Sequence, residues 1–206
     1  MRLLASLALL LGAASPALAQ DRPANLQPTR DVAVPYRLLG VQNMPQGQQP
    51  PQISIATLAA EAKVRVDMGA VIPGMNAWGL SDMRSGRTDV VMENMRTVIP
   101  NPGGQDITRA LRLAESARMT RAETATIAGT RCTNWRWENA GQRGTACLTD
   151  DGVMLRAANE AGQGMEAVQV QYGPQDPARF RLPQGYREMS LDDAARSMAQ
   201  PPPNRR

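Results

Sequence analysis

Few side chains in this sequence have the chemistry that catalysis requires. The chain has 206 residues, with two cysteines, twelve methionines and no histidine. Histidine is the commonest general base, and a cysteine nucleophile must be a free thiol. The adjacent carboxylates Asp150-Asp151 and Asp192-Asp193 are explained by a hairpin turn and by the start of a helix. The sequence therefore predicts a protein that is not an enzyme and that binds no cofactor.

The N-terminus indicates where the cysteines would function. A positive Arg2, the apolar run Leu3–Ala14 and the small-x-small site Ala17–Ala19 are the three parts of a secretory signal peptide. Cleavage after Ala19 leaves 206 − 19 = 187 residues. The apolar run is shorter than the roughly 20 residues that span a bilayer, so the mature chain is expected to have no transmembrane segment. We therefore expect a periplasmic or secreted protein.

Cys132 and Cys147 are predicted to form a structural disulfide, because an oxidising compartment lets such a pair persist. Closing a loop of about 15 residues stabilises a fold by about 3 kcal/mol on the chain-entropy account. A redox-active pair is one alternative, although such pairs usually have closer spacing. A metal site is another, but it would lack histidine ligands.

A second metal hypothesis concerns Met92-x-x-Met95, because thioether sulfur selects Cu(I). Three-residue spacing in a strand puts the two side chains on opposite faces, and methionine commonly fills gaps in protein cores. Core filling is the favoured interpretation, and no metal site is predicted.

The strands that must position the cysteines are predicted to form a β-meander. If Trp137 pairs with Gln142 across the turn Glu138–Gly141, Cys132 lies directly opposite Cys147, within the span of a disulfide. The same register places the Trp135 ring over Gly144, which has no side chain of its own.

The next turns extend this meander. Asp151-Gly152 favours a two-residue type I′ loop that pairs Leu148 with Leu155, and a later turn places Val168 beside Leu155. One face is then apolar and forms the core, with Trp135, Leu148, Val153, Leu155, Val168 and Val170. The other face is predicted to be wet or lightly covered, with Cys132, Cys147, Thr145, Thr149, Met154 and Arg156.

The remaining chain predicts one domain over residues 31–199, between disordered segments at 20–30 and 200–206. Its first half alternates like an antiparallel meander, and Pro35 suggests that the first strand lies at a sheet edge. Apolar residues at three- and four-residue steps predict a main helix over Asp106–Arg118. Asp176-Pro177 and Ser190 each favour the start of a short C-terminal helix.

Several motifs resemble those of a family of small secreted proteins of Gram-negative bacteria known as a domain of unknown function. The resemblance covers about residues 30–190 and rests on Arg65-x-Asp67, Gly86, Val90-Val91-Met92, Gly129, Cys132, Trp135, Cys147, Thr149-x-x-Gly152-Val153, Tyr172 and Phe180-x-x-Pro183-x-Gly185-Tyr186. More distantly, the strand pattern is similar to the half-barrel of periplasmic lipoprotein carriers of the LolA and LolB type. That similarity implies an α+β fold, with a curved antiparallel sheet wrapped around one main helix and short C-terminal helices. It assigns no catalytic residue.

Two functional hypotheses follow. The first is an exported, non-catalytic binding protein for a lipid, acyl chain or other envelope amphiphile. Its cavity would lie between the main helix and the sheet and would be lined by Trp78, Leu111, Trp135, Leu148, Leu155 and Val168. The tryptophans are explained equally by an ordinary core, and the small alanines of the helix by close helix–sheet packing. The second hypothesis is a structural or protein-interaction module of the periplasm, for example a partner in envelope-stress sensing.

The net charge and the distribution of basic residues indicate which kinds of partner the protein could bind. Removal of Arg2 leaves 23 − 1 = 22 basic and 19 acidic side chains, a net charge of +3. No basic run is dense enough to indicate nucleic acid. The interspersed arginines favour an acidic surface such as lipid headgroups or envelope polyanions, or they are simply solvated. A monomer is expected.

Overall fold

A computed structural model describes residues 22–42, 50–68, 76–100 and 116–199. These residues form one 13-stranded sheet whose neighbours pair antiparallel, except for one parallel pair at its edge. In chain order the strands are β1 (Val32–Leu39), β2 (Gln52–Leu58), β3 (Lys63–Asp67), β4 (Ala77–Asp82), β5 (Arg87–Met92), β6 (Thr97–Pro100), β7 (Arg118–Ile127), β8 (Thr130–Asn139), β9 (Gln142–Leu148), β10 (Met154–Asn159), β11 (Gly164–Ala167), β12 (Gln171–Tyr172) and β13 (Arg187–Glu188). Their order across the sheet is β13-β6-β5-β4-β3-β2-β1-β11-β10-β9-β8-β7, and β12 continues beside β1.

The predicted fold class, an α+β half-barrel wrapped around one main helix, is wrong. The described residues form a large β-sheet, and α1 (Leu191–Ala199) is the one α-helical element among them that is longer than a turn. Most of the predicted helix Asp106–Arg118 lies outside the described residues, and its last residue, Arg118, begins β7. Periodicity reports the face of a single helix, whereas the extent of a sheet depends on pairing between strands far apart in sequence.

The strand registers define two faces of the sheet. On the face that we call the valine face, Val34 lies opposite Ile55, which lies opposite Val66. On the other, the arginine face, Arg37 lies opposite Glu166, which lies opposite Arg156. Side chains alternate along each strand, so Arg65 and Trp78 of β3 and β4 also lie on the arginine face.

The predicted edge position of Pro35 is also wrong, because β1 lies inside the sheet between β2 and the pair β11 and β12. Proline has no N–H for a ladder. Pairing with β11 ends at Tyr36–Ala167, and pairing with β12 begins at Ala33–Gln171. The partner strand is therefore interrupted opposite Pro35, although the Pro35 carbonyl still accepts from Val168 N at 2.8 Å.

The Cys132–Cys147 disulfide is confirmed, with Cα atoms 5.5 Å apart. The register predicted for it is wrong by two residues: Asn134 lies opposite Cys147, and Trp137, not Trp135, lies opposite Gly144. The turn has two residues in place of four, because Asn139 pairs with Gln142. A shift of two keeps every side chain on its face, so the cysteines still meet on a diagonal.

The next hairpin keeps the predicted register along most of β10, where Arg156 pairs with Cys147 and Ala157 with Ala146, and differs only at its loop end. Leu148 pairs with Met154, not with Leu155, and a bulge follows before Arg156 pairs with Cys147. Gly152 N donates to Thr149 O at 3.0 Å, so the loop is a wider turn than the predicted type I′ pair. Cys147 and Arg156 lie on the face opposite Trp135 and Leu148, as predicted. Two parts of that prediction are wrong: both cysteines are buried in a core cluster with Leu155, and Met154 packs with Trp135 and Leu148.

Segments outside the strands cover the sheet. Residues 176–186, the docked segment, place Phe180 against the arginine face in a cluster with Ala56, Leu58, Trp78, Leu80, Val91 and Val98. The chain then pairs with β6 as β13 and continues into α1, whose Ala194 packs against Met92 and Ile99 of the valine face. The docked segment, β13 and α1 thus wrap around the β6 edge, joining both faces.

The segment before β1 packs against the β9–β10 loop. Thr29 N donates to Asp151 O at 3.0 Å, and Arg30 Nε lies 2.7 Å from the Asp151 carboxylate. Arg30 also stacks over Tyr172, 3.8 Å from the ring centroid. Burial raises the pKa of Asp151, but hydrogen bonds from Thr149, Arg30 and Tyr172 outweigh it, and the pKa is lowered overall.

Candidate functional site

A row of polar side chains crosses the arginine face in the second half of the sheet. The register places these residues side by side on six neighbouring strands, in the order Asn134, Cys147, Arg156, Glu166, Arg37 and Gln52. The row exists because each strand contributes one residue at the same level of the ladder. The buried Cys147 links it covalently to Cys132 on β8.

Glu166 is the centre of this row, between two arginines. Its carboxylate forms an ion pair with Arg37 and a longer one with Arg156, whose Nε lies 3.6 Å away. The Glu166 side chain is 17% exposed, whereas those of Arg37 and Arg156 are 53% and 50% exposed. Two guanidinium groups therefore share one carboxylate, and about half of each arginine side chain remains exposed.

These three residues line a hollow of about 560 Å³, which we call the arginine groove. Its opposite wall is apolar and comes from the end of β7, with Ala125 and Ile127. Val168, 49% exposed, extends the apolar wall beside β11. The groove therefore presents cationic groups beside apolar carbon, an arrangement suited to a ligand that has both an anionic and an apolar part.

Two further hollows continue along the same face. One of about 220 Å³ shares Asn134 and Arg156 with the arginine groove, and it also contains Arg136 and Thr145. The next, of about 440 Å³, shares Arg136 and Thr145 and lies near the β8–β9 turn. The three hollows are therefore joined at Arg156 and at Arg136.

A second polar cluster lies under the docked segment. Arg65 stacks over Trp78, 3.8 Å from the ring centroid, and Trp78 Nε1 donates to Glu93 Oε1 at 2.7 Å. The Tyr186 hydroxyl donates to the other Glu93 oxygen. The hydrogen bonds from Trp78 and Tyr186 lower the pKa of Glu93. Each polar group here has a partner from the protein, so this cluster fastens the docked segment and leaves little for a ligand to bind.

The residues predicted to line one cavity are placed in different clusters. Trp78 packs with Phe180, whereas Trp135 and Leu148 form a separate cluster with Met119. Leu155 is completely buried beside the disulfide. Val168 lines the arginine groove, and Leu111 lies outside the described residues. Arg37, Arg156 and Glu166 were not singled out from the sequence, because the only signal for them was the general scatter of arginines.

In the part of the chain that the structure describes, no group of three or more His, Cys, Asp or Glu side chains is placed to hold an ion. Met92 and Met95 both pack into the cluster around Ile99 and Ala194. Met95 lies in a 3-10 turn, not in a strand, which is why the two methionines share a cluster. Within the described residues, no helix has the length and apolarity to cross a membrane.

No family model matches this chain, and no curated protein matches its sequence. Among solved structures, an uncharacterized conserved protein from Thermus thermophilus matches with a TM-score of 0.52 and 10% identity, over 79% of this chain and 91% of that one. PNGF-II matches with a TM-score of 0.53 and 11% identity over 83% of this chain, which spans 33% of the length of PNGF-II. At these identities the likeness shows the fold alone.

Two weaker matches correspond to the carrier-like similarity predicted from the strand pattern. MucB, solved alone and in complex with MucA(peri), matches at 12% identity with a TM-score of 0.46, over 77% of this chain and 59% of that one. A putative outer membrane lipoprotein-sorting protein domain from Vibrio parahaemolyticus matches at 8% identity with a TM-score of 0.35, over 73% and 89%. They accord with a distant relation of fold, and no functional conclusion rests on TM-scores below 0.5.

Proposed function

We propose that this chain is an exported, non-catalytic binding protein whose ligand is an envelope amphiphile with an anionic headgroup, held in the arginine groove. The observation that carries the proposal is the sharing of Glu166 by Arg37 and Arg156 beside a partly exposed apolar wall. An anionic headgroup would satisfy the exposed half of each guanidinium. An alkyl chain would cover Ile127 and Val168.

Electrostatics favours an anion over a neutral headgroup. The three charged side chains that line the groove sum to +1, and charge-assisted hydrogen bonds from guanidinium to an oxyanion are about twice as strong as neutral ones. The apolar contribution has an upper limit of about 0.8 kcal/mol for each methylene that is fully buried. Because the groove is open, we expect each methylene to contribute less than this limit.

The compartment and the lack of catalysis rest on separate observations. The N-terminal sequence has the three parts of a secretory signal peptide, and the disulfide suits an oxidising compartment. The chain has no histidine, and both of its cysteines are in the disulfide. Binding without chemistry is therefore the function that these residues support.

The test is calorimetric titration of the oxidised mature chain with three twelve-carbon amphiphiles below their micelle concentrations. We expect dodecyl phosphate to bind, and dodecyl maltoside and dodecyltrimethylammonium to bind at least tenfold more weakly. Arg156→Gln should weaken dodecyl phosphate binding. The charge-matched control is Arg196→Gln on α1, an exposed arginine paired with Asp193, which should bind like the wild type. Equal affinity for all three amphiphiles would refute the proposal.

A protein-interaction role is the second candidate, and β7 favours it. This ten-residue strand ends the sheet of described residues, and most of its side chains are at least partly exposed. Its bulge between Arg121 and Thr124 opposes strand addition, because bulges disrupt the ladder that a partner strand would extend. Crosslinking in the periplasm, with a photoreactive residue at Thr126, would detect such a partner. Its capture together with absent dodecyl phosphate binding would favour this candidate.

A further inference from the structure

Arg136 is a further arginine of the arginine face, and it does not line the arginine groove. It lies on β8 between Thr120 of β7 and Thr145 of β9, its direct neighbours in the ladder. Among the residues that the structure describes, no carboxylate or other side chain pairs with it. A guanidinium group flanked by two hydroxyl groups can donate several hydrogen bonds to one tetrahedral oxyanion.

The position of Arg136 relative to the groove follows from the register. Arg136 is two residues beyond Asn134, which lies opposite Cys147, and Cys147 lies opposite Arg156. Two residues along a strand and two strand spacings across the sheet give a Cα separation of roughly 12 Å between Arg136 and Arg156. Both side chains line the hollow of about 220 Å³, together with Glu123.

The two arginines differ in whether they already have an ion-pair partner, and this matters for binding. Arg156 already interacts with Glu166, so an anion there competes with an existing ion pair. Arg136 has no pair to give up within the described part of the chain. An oxyanion at Arg136 would therefore add attraction without the loss of an ion pair.

We propose that the ligand carries two anionic groups on one headgroup, of the phosphate type and separated by roughly the distance between these arginines. One anionic group binds Arg136, with Thr120 and Thr145, and the other binds Arg156 and Arg37. This inference rests on the proposed function and specifies its ligand class. Once one anion is bound, the second binds as an intramolecular event at a high effective concentration, so two-point binding exceeds the affinity of either point alone.

The experiment compares hexyl phosphate with hexane-1,6-diyl bisphosphate, which adds a second phosphate at the far end of the same chain. Binding is measured by chemical-shift titration of the oxidised mature protein at low ionic strength. We expect the bisphosphate to bind at least tenfold more tightly and to shift the amide signals of Arg136 and Thr145. Ethane-1,2-diyl bisphosphate, which is too short to reach both arginines, should bind without that gain.

Variants separate this inference from the proposed function. Arg136→Gln should remove the gain of the six-carbon bisphosphate over hexyl phosphate, whereas Arg196→Gln should keep it. Amide spectra of each variant would verify that it is folded. If the bisphosphate binds no more tightly than hexyl phosphate, or keeps its gain in Arg136→Gln, the two-anion inference is overturned. The proposed function still stands in that case, provided that binding of dodecyl phosphate depends on Arg156. If dodecyl phosphate does not bind either, both are refuted.

Discussion

Truncation of Phe180 to alanine should release the docked segment from the sheet. The Phe180 side chain is 1% exposed and packs among apolar side chains of β2, β4, β5 and β6. A phenylalanine buries roughly 150–250 Å², which corresponds to about 4–6 kcal/mol as an upper limit. Because alanine keeps the β-carbon and the site relaxes, we expect Phe180→Ala to lower the free energy of unfolding by about 3–5 kcal/mol.

The competing explanation is that ion pairs hold the segment in place. Arg179 lies 3.2 Å from Asp67, and its backbone carbonyl accepts from Arg65 at 2.8 Å. The Arg179 side chain is 44% exposed, and exposed ion pairs contribute only about 0–1 kcal/mol. Arg179→Gln should therefore change the unfolding free energy by less than about 1 kcal/mol.

Urea denaturation followed by tryptophan emission measures both variants, because Trp78 lies under Phe180 in the same cluster. Limited trypsin digestion gives a second measure, since Arg181 and Arg187 follow Phe180. We expect faster cleavage at these arginines in Phe180→Ala. A loss below about 1 kcal/mol for Phe180→Ala, or a larger loss for Arg179→Gln, would refute packing as the main cause of docking.

Three other perturbations test separate parts of the fold. Replacing Cys132 and Cys147 together by serine opens a loop with a sequence separation of 15 and should lower the free energy of unfolding in urea by about 3 kcal/mol. Reduction of the wild type is the matched experiment, and equal stability of the disulfide-bonded protein and the serine variant would contradict the prediction. Glu93→Gln tests the lowered pKa of Glu93. Because the pKa of Glu93 is lowered in the folded state, its carboxylate stabilises the fold above the unfolded pKa of 4.5, and this stabilisation is lost as pH falls through the folded-state pKa. Wild type and variant should therefore converge in stability as pH falls below 4.5, and a constant difference would count against this. Gly144→Ala places a β-carbon well inside van der Waals contact of the Ala158 carbonyl oxygen and should lower the free energy of unfolding by about 1–3 kcal/mol. The urea midpoint measures this loss, and an unchanged midpoint would show that β10 moves away from the new β-carbon at no cost.

The turns explain why the predicted registers were displaced. Ala140 and Gly141 both have positive φ, 48° and 78°, as a two-residue type I′ turn requires. Alanine rarely adopts that conformation because of its β-carbon, so Ala-Gly is a much weaker turn signal than Asn-Gly. The disulfide was still predictable, since a displacement by two residues preserves the face on which each cysteine lies.

The bulge in β10, in contrast, changes the face on which one side chain lies. It shifts the pairing of Leu148 from Leu155 to Met154, so Met154 packs with Leu148 and Trp135 and not on the face predicted for it, whereas Arg156 keeps its predicted partner Cys147. Leu155 is completely buried, while Val168 is half exposed. Bulges depend on the fit of whole strands and leave little trace in a local sequence pattern.

The arginine groove could not be predicted from local patterns at all. Arg37 and Glu166 are 129 positions apart in sequence, and they meet because β11 pairs with β1. No turn signal or periodicity specifies that pairing. The sequence showed scattered arginines suited to an acidic partner, and the register of three strands converts this scatter into a site.

Among the described residues, the docked segment covers the first half of the arginine face, whereas Arg37 and Arg156 in the second half remain about half exposed. The partners of these arginines give a physical reason. Under the docked segment, Arg65 has the Asp67 carboxylate, the Trp78 ring and a backbone carbonyl as partners, so its guanidinium group can lose contact with water at little cost. In the second half, Arg37 and Arg156 share one carboxylate. An apolar segment that covered them would bury an uncompensated cation, which is strongly destabilising. A ligand that covers this half must therefore bring anionic charge with it, and a neutral acyl chain should bind more weakly than an anionic amphiphile even though the groove has an apolar wall.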